Sequence, residues 1–168
     1  MADRPAPGGP TRGGVAPGGA ATPREAEIEG RVRASFARQP LMRTLGAELV
    51  SVRPGEVEIA LPFRAELAQQ HGFLHAAATT AIADSACGYA ALSLMPPDRE
   101  VLSVEFKVNL LAPARGERFV AAARVIRPGR TLTVCAADVW AERAGARTLV
   151  AAMQATMIGT DATAPPGG

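Results

Sequence analysis

The run QQHGFLHAAATTAIADSACGYAALSL, residues 69–94, reads as a long helix that is apolar on nearly every face. It nevertheless carries a carboxylate, Asp84, near its middle, and two histidines, His71 and His75, just ahead of it. A helix without a polar face has to be surrounded by protein rather than lie on a surface. Its Ala, Ser, Thr and Gly side chains let a neighbouring sheet approach closely. Residues 76–95 are long enough to span a bilayer, but a central carboxylate alone costs about 2.5 to 3.5 kcal/mol for insertion. No membrane association is expected, and the helix belongs inside a globular domain.

Working outward, Pro96 and Pro97 stop the helix and the rest of the chain reads as strands. Leu102, Val104, Phe106, Val108 and Leu110 alternate with Ser103, Glu105, Lys107 and Asn109, the pattern of a half-buried strand with an apolar and a polar face. Further strands are expected near 117–127, 130–142 and 146–158, joined by RPGR (Arg127–Arg130) and by a turn at Ala144 and Gly145, so that neighbours pair antiparallel. Upstream of the helix, alternation over 45–52 and 56–61 around Arg53, Pro54 and Gly55 predicts a hairpin. Before it, Thr22, Pro23 and Glu25 form an N-cap and capping box, and Ile28, Val32 and Phe36 mark one face of a short helix that ends at Pro40. The sum is an α+β fold, a long central helix wrapped by a curved antiparallel sheet of about six strands.

Composition narrows the function. With 168 residues, 48% apolar, the chain builds one domain, expected over 24–160. Pro/Gly-rich residues 1–23 and residues 161–168 are expected to be disordered tails. A formal charge of +2 spread over scattered arginines gives no stripe to follow a nucleic-acid backbone, so nucleic acid is not an expected partner. Cys87 and Cys135 have neither metal-ligand spacing nor a secretory setting and read as buried free thiols in a reducing compartment, which places the protein in the cytoplasm.

An ionised carboxylate in an apolar helix is costly unless paired or hydrogen-bonded. Asp84 is therefore either a core residue bonded to Thr80, Ser85 or the backbone, or a group kept for chemistry. The four-residue spacing of His71 and His75 would face one metal on a helix, but Gly72 lies between them and no third ligand stands at a recognisable distance, so no metal is expected. A helix starting near Ala76 has a free backbone N–H at its positive end, able to hold developing negative charge. From Ala76 to Asp84 is eight residues, about 12 Å of rise, too far for both to touch one small reacting group. If both act on one carbonyl, two chains contribute, and an antiparallel pairing of two such helices about a two-fold axis would create two equivalent sites.

These residues together resemble the hotdog-fold acyl-CoA thioesterases of the PaaI type. That family opens its central helix with His-Gly-Gly and places an Asp nine residues after the His; here His75, Ala76 and Ala77 fill the triplet and Asp84 falls at the ninth position. Gln69 stands six before the His, where the family has an amide side chain, Ser103 matches the serine of the strand after the helix, and Pro128, Gly129 and Arg130 match the tip of the later hairpin. The match covers about residues 40–159. It departs in both glycines of the triplet, which are alanine here, although the amide N–H survives that change.

The resemblance implies hydrolysis of an acyl-CoA to free acid and CoA, without a cofactor. The Ala76 amide would polarise the thioester carbonyl, and Asp84 of a second subunit would act as nucleophile or general base. Gln69 would position substrate or water, His75 the loop or the carbonyl, and Ser103 would assist near the water. Arg127, Gly129 and Arg130 would meet the CoA phosphates. A homodimer is then required for the site, and a homotetramer is expected. Two other activities suit the same fold: a non-catalytic acyl-CoA-binding module, and a dehydratase or hydratase with a His and a carboxylate converging on the substrate.

Overall fold

The first described element starts at a reciprocal cap. In the computed structural model, which describes residues 22–161, the Thr22 side chain accepts from the Glu25 amide and the Glu25 carboxylate accepts from the Thr22 amide, opening α1 (Pro23–Arg38). The expected tails therefore fall almost wholly outside the described residues. Val32 of α1 is fully buried, and Phe36 meets the Tyr89 ring edge-on at 5.9 Å.

Pro40 does not simply end that helix. It is the first residue of a second one, α2 (Pro40–Leu45), which closes at Gly46 with φ of 73°. Proline at the first helical position lacks only an amide that has no partner there, and glycine accepts the left-handed conformation that ends the turn. The first strand accordingly begins at Glu48 rather than near residue 45.

Six strands follow, β1 (Glu48–Arg53), β2 (Glu56–Pro62), β3 (Arg99–Leu110), β4 (Arg118–Pro128), β5 (Leu132–Arg143) and β6 (Ala146–Asp161). They form one sheet in the order β1-β2-β4-β5-β6-β3, every neighbouring pair antiparallel. Between β2 and β3 runs α3 (Ala76–Leu92), which carries the chain from one side of the sheet to the opposite edge and packs on β2, β4, β5, β3 and β6. This is the wrapped-helix arrangement expected of a hotdog fold.

Small side chains set the helix-to-sheet distance. Ala83, Ala86 and Ala90 of α3 and Ala121, Ala137 and Ala155 of the sheet are all fully buried. β5 alternates buried and half-exposed residues along almost its whole length, which is why it reads so clearly as a strand. Cys87 and Cys135 are buried and unpaired, and the Cys135 thiol donates to the Cys87 carbonyl at 3.6 Å. Desolvation pushes both thiols up, Cys135 to about 11.

The far end of α3 is closed by a side chain from α1. The Arg31 guanidinium donates to the carbonyls of Leu92, Met95 (3.0 Å) and Pro96 (2.7 Å), satisfying acceptors that a helix C-terminus leaves free and placing positive charge at the negative end of the dipole. The β1–β2 turn is fixed to the same end: Ser93 Oγ accepts from the Gly55 amide at 2.7 Å, and Gly55 itself has φ of 80°.

β3 departs from the expected half-buried strand in two ways. It lies at an open edge, with Leu102, Val104, Phe106 and Leu110 between 44% and 59% exposed. It also carries a bulge, since Ser103 pairs with Met157 and Glu105 with Thr156, leaving Val104 as an extra residue. Paired residues share a face, so Ser103 points with buried Met157, and Phe106 with buried Ala155, toward the helix side, whereas Leu102 lies on the outer side. Strict alternation had put Ser103 on the polar outer face; the bulge moves it inside.

Candidate active site

The turn that delivers the chain to α3 is built by its own backbone. Gln69 N donates to the Phe73 carbonyl at 2.8 Å, Gly72 N donates to the Gln69 carbonyl at 2.9 Å, and Gly72 sits at φ of 80°. Gln69 Oε1 is taken by the His71 amide, and among the described residues its Nε2 has no partner. The two histidines thus belong to different structures. His71 lies in this turn, while His75 is the N-cap of α3, its Nδ1 accepting from Ala77 N at 2.9 Å. An Nδ1 that accepts leaves the proton of the neutral ring on Nε2.

That cap leaves one donor over. The Ala77 amide is held by His75 Nδ1 and the Ala78 amide by the His75 carbonyl at 2.9 Å, but among the described residues the Ala76 amide makes no hydrogen bond. Ala76 and Gln69 line the same cavity of about 510 Å³, walled by Phe73, Leu74, Leu111 and Val150. Two donors, one from the backbone at the positive end of a helix and one from a side chain, therefore border one largely apolar space, an arrangement suited to holding a carbonyl oxygen. Alanine in place of the two family glycines brings no strain here, since Ala144 is the one described non-glycine residue at positive φ.

Asp84 is half-buried rather than enclosed, and neither Thr80 nor Ser85 satisfies it. Its Oδ1 accepts from Ser103 Oγ at 2.7 Å, a charge-assisted bond made possible by the β3 bulge. The pair lines a small cavity of about 130 Å³ together with Gln39, Ser85, Tyr89 and Glu100. Gln39 and Glu100 are site neighbours that the sequence did not single out. Gln39 links Ser85 (3.3 Å) and Tyr89 (3.4 Å) across to the α1–α2 junction, a contact between segments distant in the chain.

The candidate residues thus fall into separate groups on one chain. Ala76, His75 and Gln69 stand at the start of α3, and Asp84 and Ser103 at its middle. At the other end, Gly129 and Arg130 line a cavity of about 400 Å³ beside Ala91, Leu94 and Arg99. Gly129 is required at this tip, because a Cβ there would collide with the Leu132 carbonyl. Arg127 is not part of that cavity: a second bulge pairs it with Val134, on the outer side of the sheet. Among the described residues no group of three or more His, Cys, Asp or Glu is placed to hold a metal, and no helix is long and apolar enough to cross a membrane.

Comparison with known proteins identifies the class. The family described as the thioesterase superfamily matches residues 71–146, from the turn before α3 to the first residue of β6. A thioesterase family protein from Silicibacter pomeroyi is 52% identical, over 80% of this chain and 98% of that one, with a TM-score of 0.79. A 1,4-dihydroxy-2-naphthoyl-CoA hydrolase from Listeria monocytogenes is 30% identical over 94 residues, 56% of this chain and 76% of the relative. The E. coli PaaI protein, 16% identical, shares the fold with a TM-score of 0.71 over 81% of this chain and 95% of its own. The chain belongs to the thioesterase superfamily and is a thioester hydrolase of hotdog fold. Of the three activities considered from the sequence, hydrolysis is the one this family carries.

Proposed function

We propose that the chain hydrolyses an acyl-CoA thioester at sites assembled from two copies of itself. The observation that carries this reading is the division of the candidate residues. The donors suited to a carbonyl border one cavity, the carboxylate lies about 12 Å further along the same helix, and neither group is complete alone. Antiparallel pairing of two α3 helices would bring each Ala76 amide to the partner's Asp84. The open, apolar edge of β3 supports such pairing, because an unprotected edge strand with Leu102, Val104 and Phe106 exposed invites a second strand.

In each site the Ala76 amide and Gln69 Nε2 hold the thioester oxygen as it gains charge. Asp84 of the other copy either takes a proton from the attacking water or itself attacks the carbonyl carbon; in both routes the C–S bond breaks and CoA leaves as the thiolate. In the second route the acyl group is left on Asp84 as an anhydride, which a water then cleaves to release the acid and restore the carboxylate. Ser103 holds the carboxylate in place, and His75 fixes the start of the helix. Gly129 and Arg130 at the β4–β5 tip meet the CoA phosphates, while Arg127 contributes only charge at a distance. The CoA half of the substrate draws support from the Listeria relative, named as a CoA thioester hydrolase. A homotetramer built as a dimer of dimers, a domain spanning 24–160 and a cytoplasmic setting, which suits two unpaired buried thiols, complete the reading.

Thiol release from a panel of acyl-CoAs tests it. Asp84→Asn keeps an acceptor for Ser103 Oγ but cannot serve as base or nucleophile, so turnover falls by at least about 10²-fold with the thermal midpoint little changed. Undiminished hydrolysis by the variant would remove Asp84 from the reaction.

A further inference from the structure

We infer that the cavity beside Ala76 receives the apolar acyl group of the thioester and that Phe73 sets the size of the group admitted, an assignment that rests on the reaction proposed above. The cavity, about 510 Å³, falls within the range of small-molecule sites, and its walls are mostly apolar: Phe73, Leu74, Leu110, Leu111 and Val150. Its polar members are the free Ala76 amide, Gln69 and Thr79, and the Thr79 hydroxyl is spent on the Ala76 carbonyl at 2.9 Å. The amide and Gln69 lie where the carbonyl end of an acyl group would be held, so the apolar remainder is left to the hydrocarbon.

Two loops close this space, and they are fastened to each other. The Leu74 amide donates to the Ala114 carbonyl at 3.1 Å, joining the turn before α3 to the segment that follows β3. Phe73 is one residue before Leu74 and Arg115 one after Ala114, and the Arg115 guanidinium lies over the Phe73 ring at 4.4 Å from its centroid. Such a stack is a weak attraction at an exposed site. Its consequence for shape is larger, because it holds the ring against one preferred position as a wall. Phe73 is the single aromatic side chain lining the cavity, and it sits directly after Gly72, whose positive φ turns the chain toward α3. Shortening this side chain enlarges the cavity without touching the Ala76 amide or Asp84.

The test is kcat/KM for thiol release across straight-chain acyl-CoAs of increasing length and two aryl-CoAs, for wild type, Phe73→Ala, Phe73→Leu and Arg115→Gln, with Asp84→Asn as reference. Phe73→Ala raises the ratio of long-chain to short-chain kcat/KM at least tenfold. Phe73→Leu, the more conservative change, and Arg115→Gln, which frees the ring but keeps it, shift the ratio in the same direction by less. An unchanged ratio in folded Phe73→Ala and Phe73→Leu, or a uniform loss over every substrate, overturns the assignment. Either result leaves the reaction standing if Asp84→Asn still lowers turnover by at least about 10²-fold, whereas undiminished turnover in Asp84→Asn rejects the catalytic reading independently of the acyl profile.

Discussion

Asp84 owes its character to a single residue on another element. Ser103 reaches it only because Val104 is an extra residue in β3, so a one-residue irregularity decides which side chain stands beside the carboxylate. In the proposed reaction the decisive group at the start of the same helix is an amide, which most substitutions cannot remove. Ala76→Pro can. Proline is accommodated at the first helical position, and the residue before it, His75, already has the extended conformation (φ −66°, ψ 139°) that a following proline demands. The variant is predicted to fold with a thermal midpoint near that of wild type and to lose about 10²- to 10³-fold in kcat, the scale of one oxyanion donor. Wild-type kcat in Ala76→Pro would show that this amide does not hold the oxygen.

The elements were legible in the sequence to different degrees, for physical reasons. α1 announces its start because Thr22, Pro23 and Glu25 form a capping box that needs no tertiary partner. β5 is equally plain, since one face is buried along its length. α2 was hidden, because Pro40 both ends one helix and begins another and only the packed structure separates the two roles. β3 misled through regular alternation: the pattern is real, but the bulge breaks its phase and the edge position leaves its apolar side chains exposed. Of the site, the spacing of Gln69, His75 and Asp84 could be read from the sequence, whereas the Asp84–Ser103 bond and the nearness of Gln39 could not, since both depend on register and on contacts distant in the chain. The C-terminal closure of α3 was equally invisible. Arg31→Met, which retains the aliphatic stem but none of the donors to Leu92, Met95 and Pro96, is predicted to destabilise the fold by about 1–3 kcal/mol in urea unfolding. A midpoint equal to wild type would mean that solvent caps these carbonyls as well as the guanidinium does.

At the scale of the whole molecule, one chain holds the parts of the proposed reaction centre but keeps them apart. In the proposed site the buried helix also acts as a spacer: its length separates the Ala76 amide from Asp84 by more than a substrate carbonyl can bridge. In the proposed dimer the open β3 edge, a liability for an isolated chain, is the surface a second copy would cover. A site shared between two chains has a signature that no site within one chain can reproduce. When Ala76→Pro and Asp84→Asn protomers are combined in equal amounts by co-expression, half of the dimers are mixed. Each mixed dimer then has one site carrying both defects and one carrying neither. The measurement is thiol release by the mixture against each parent. A shared site predicts recovery from the depressed parental rates to about a quarter of wild-type activity; a mixture that stays at the parental rates, with mixed dimers verified by mass, would contradict it.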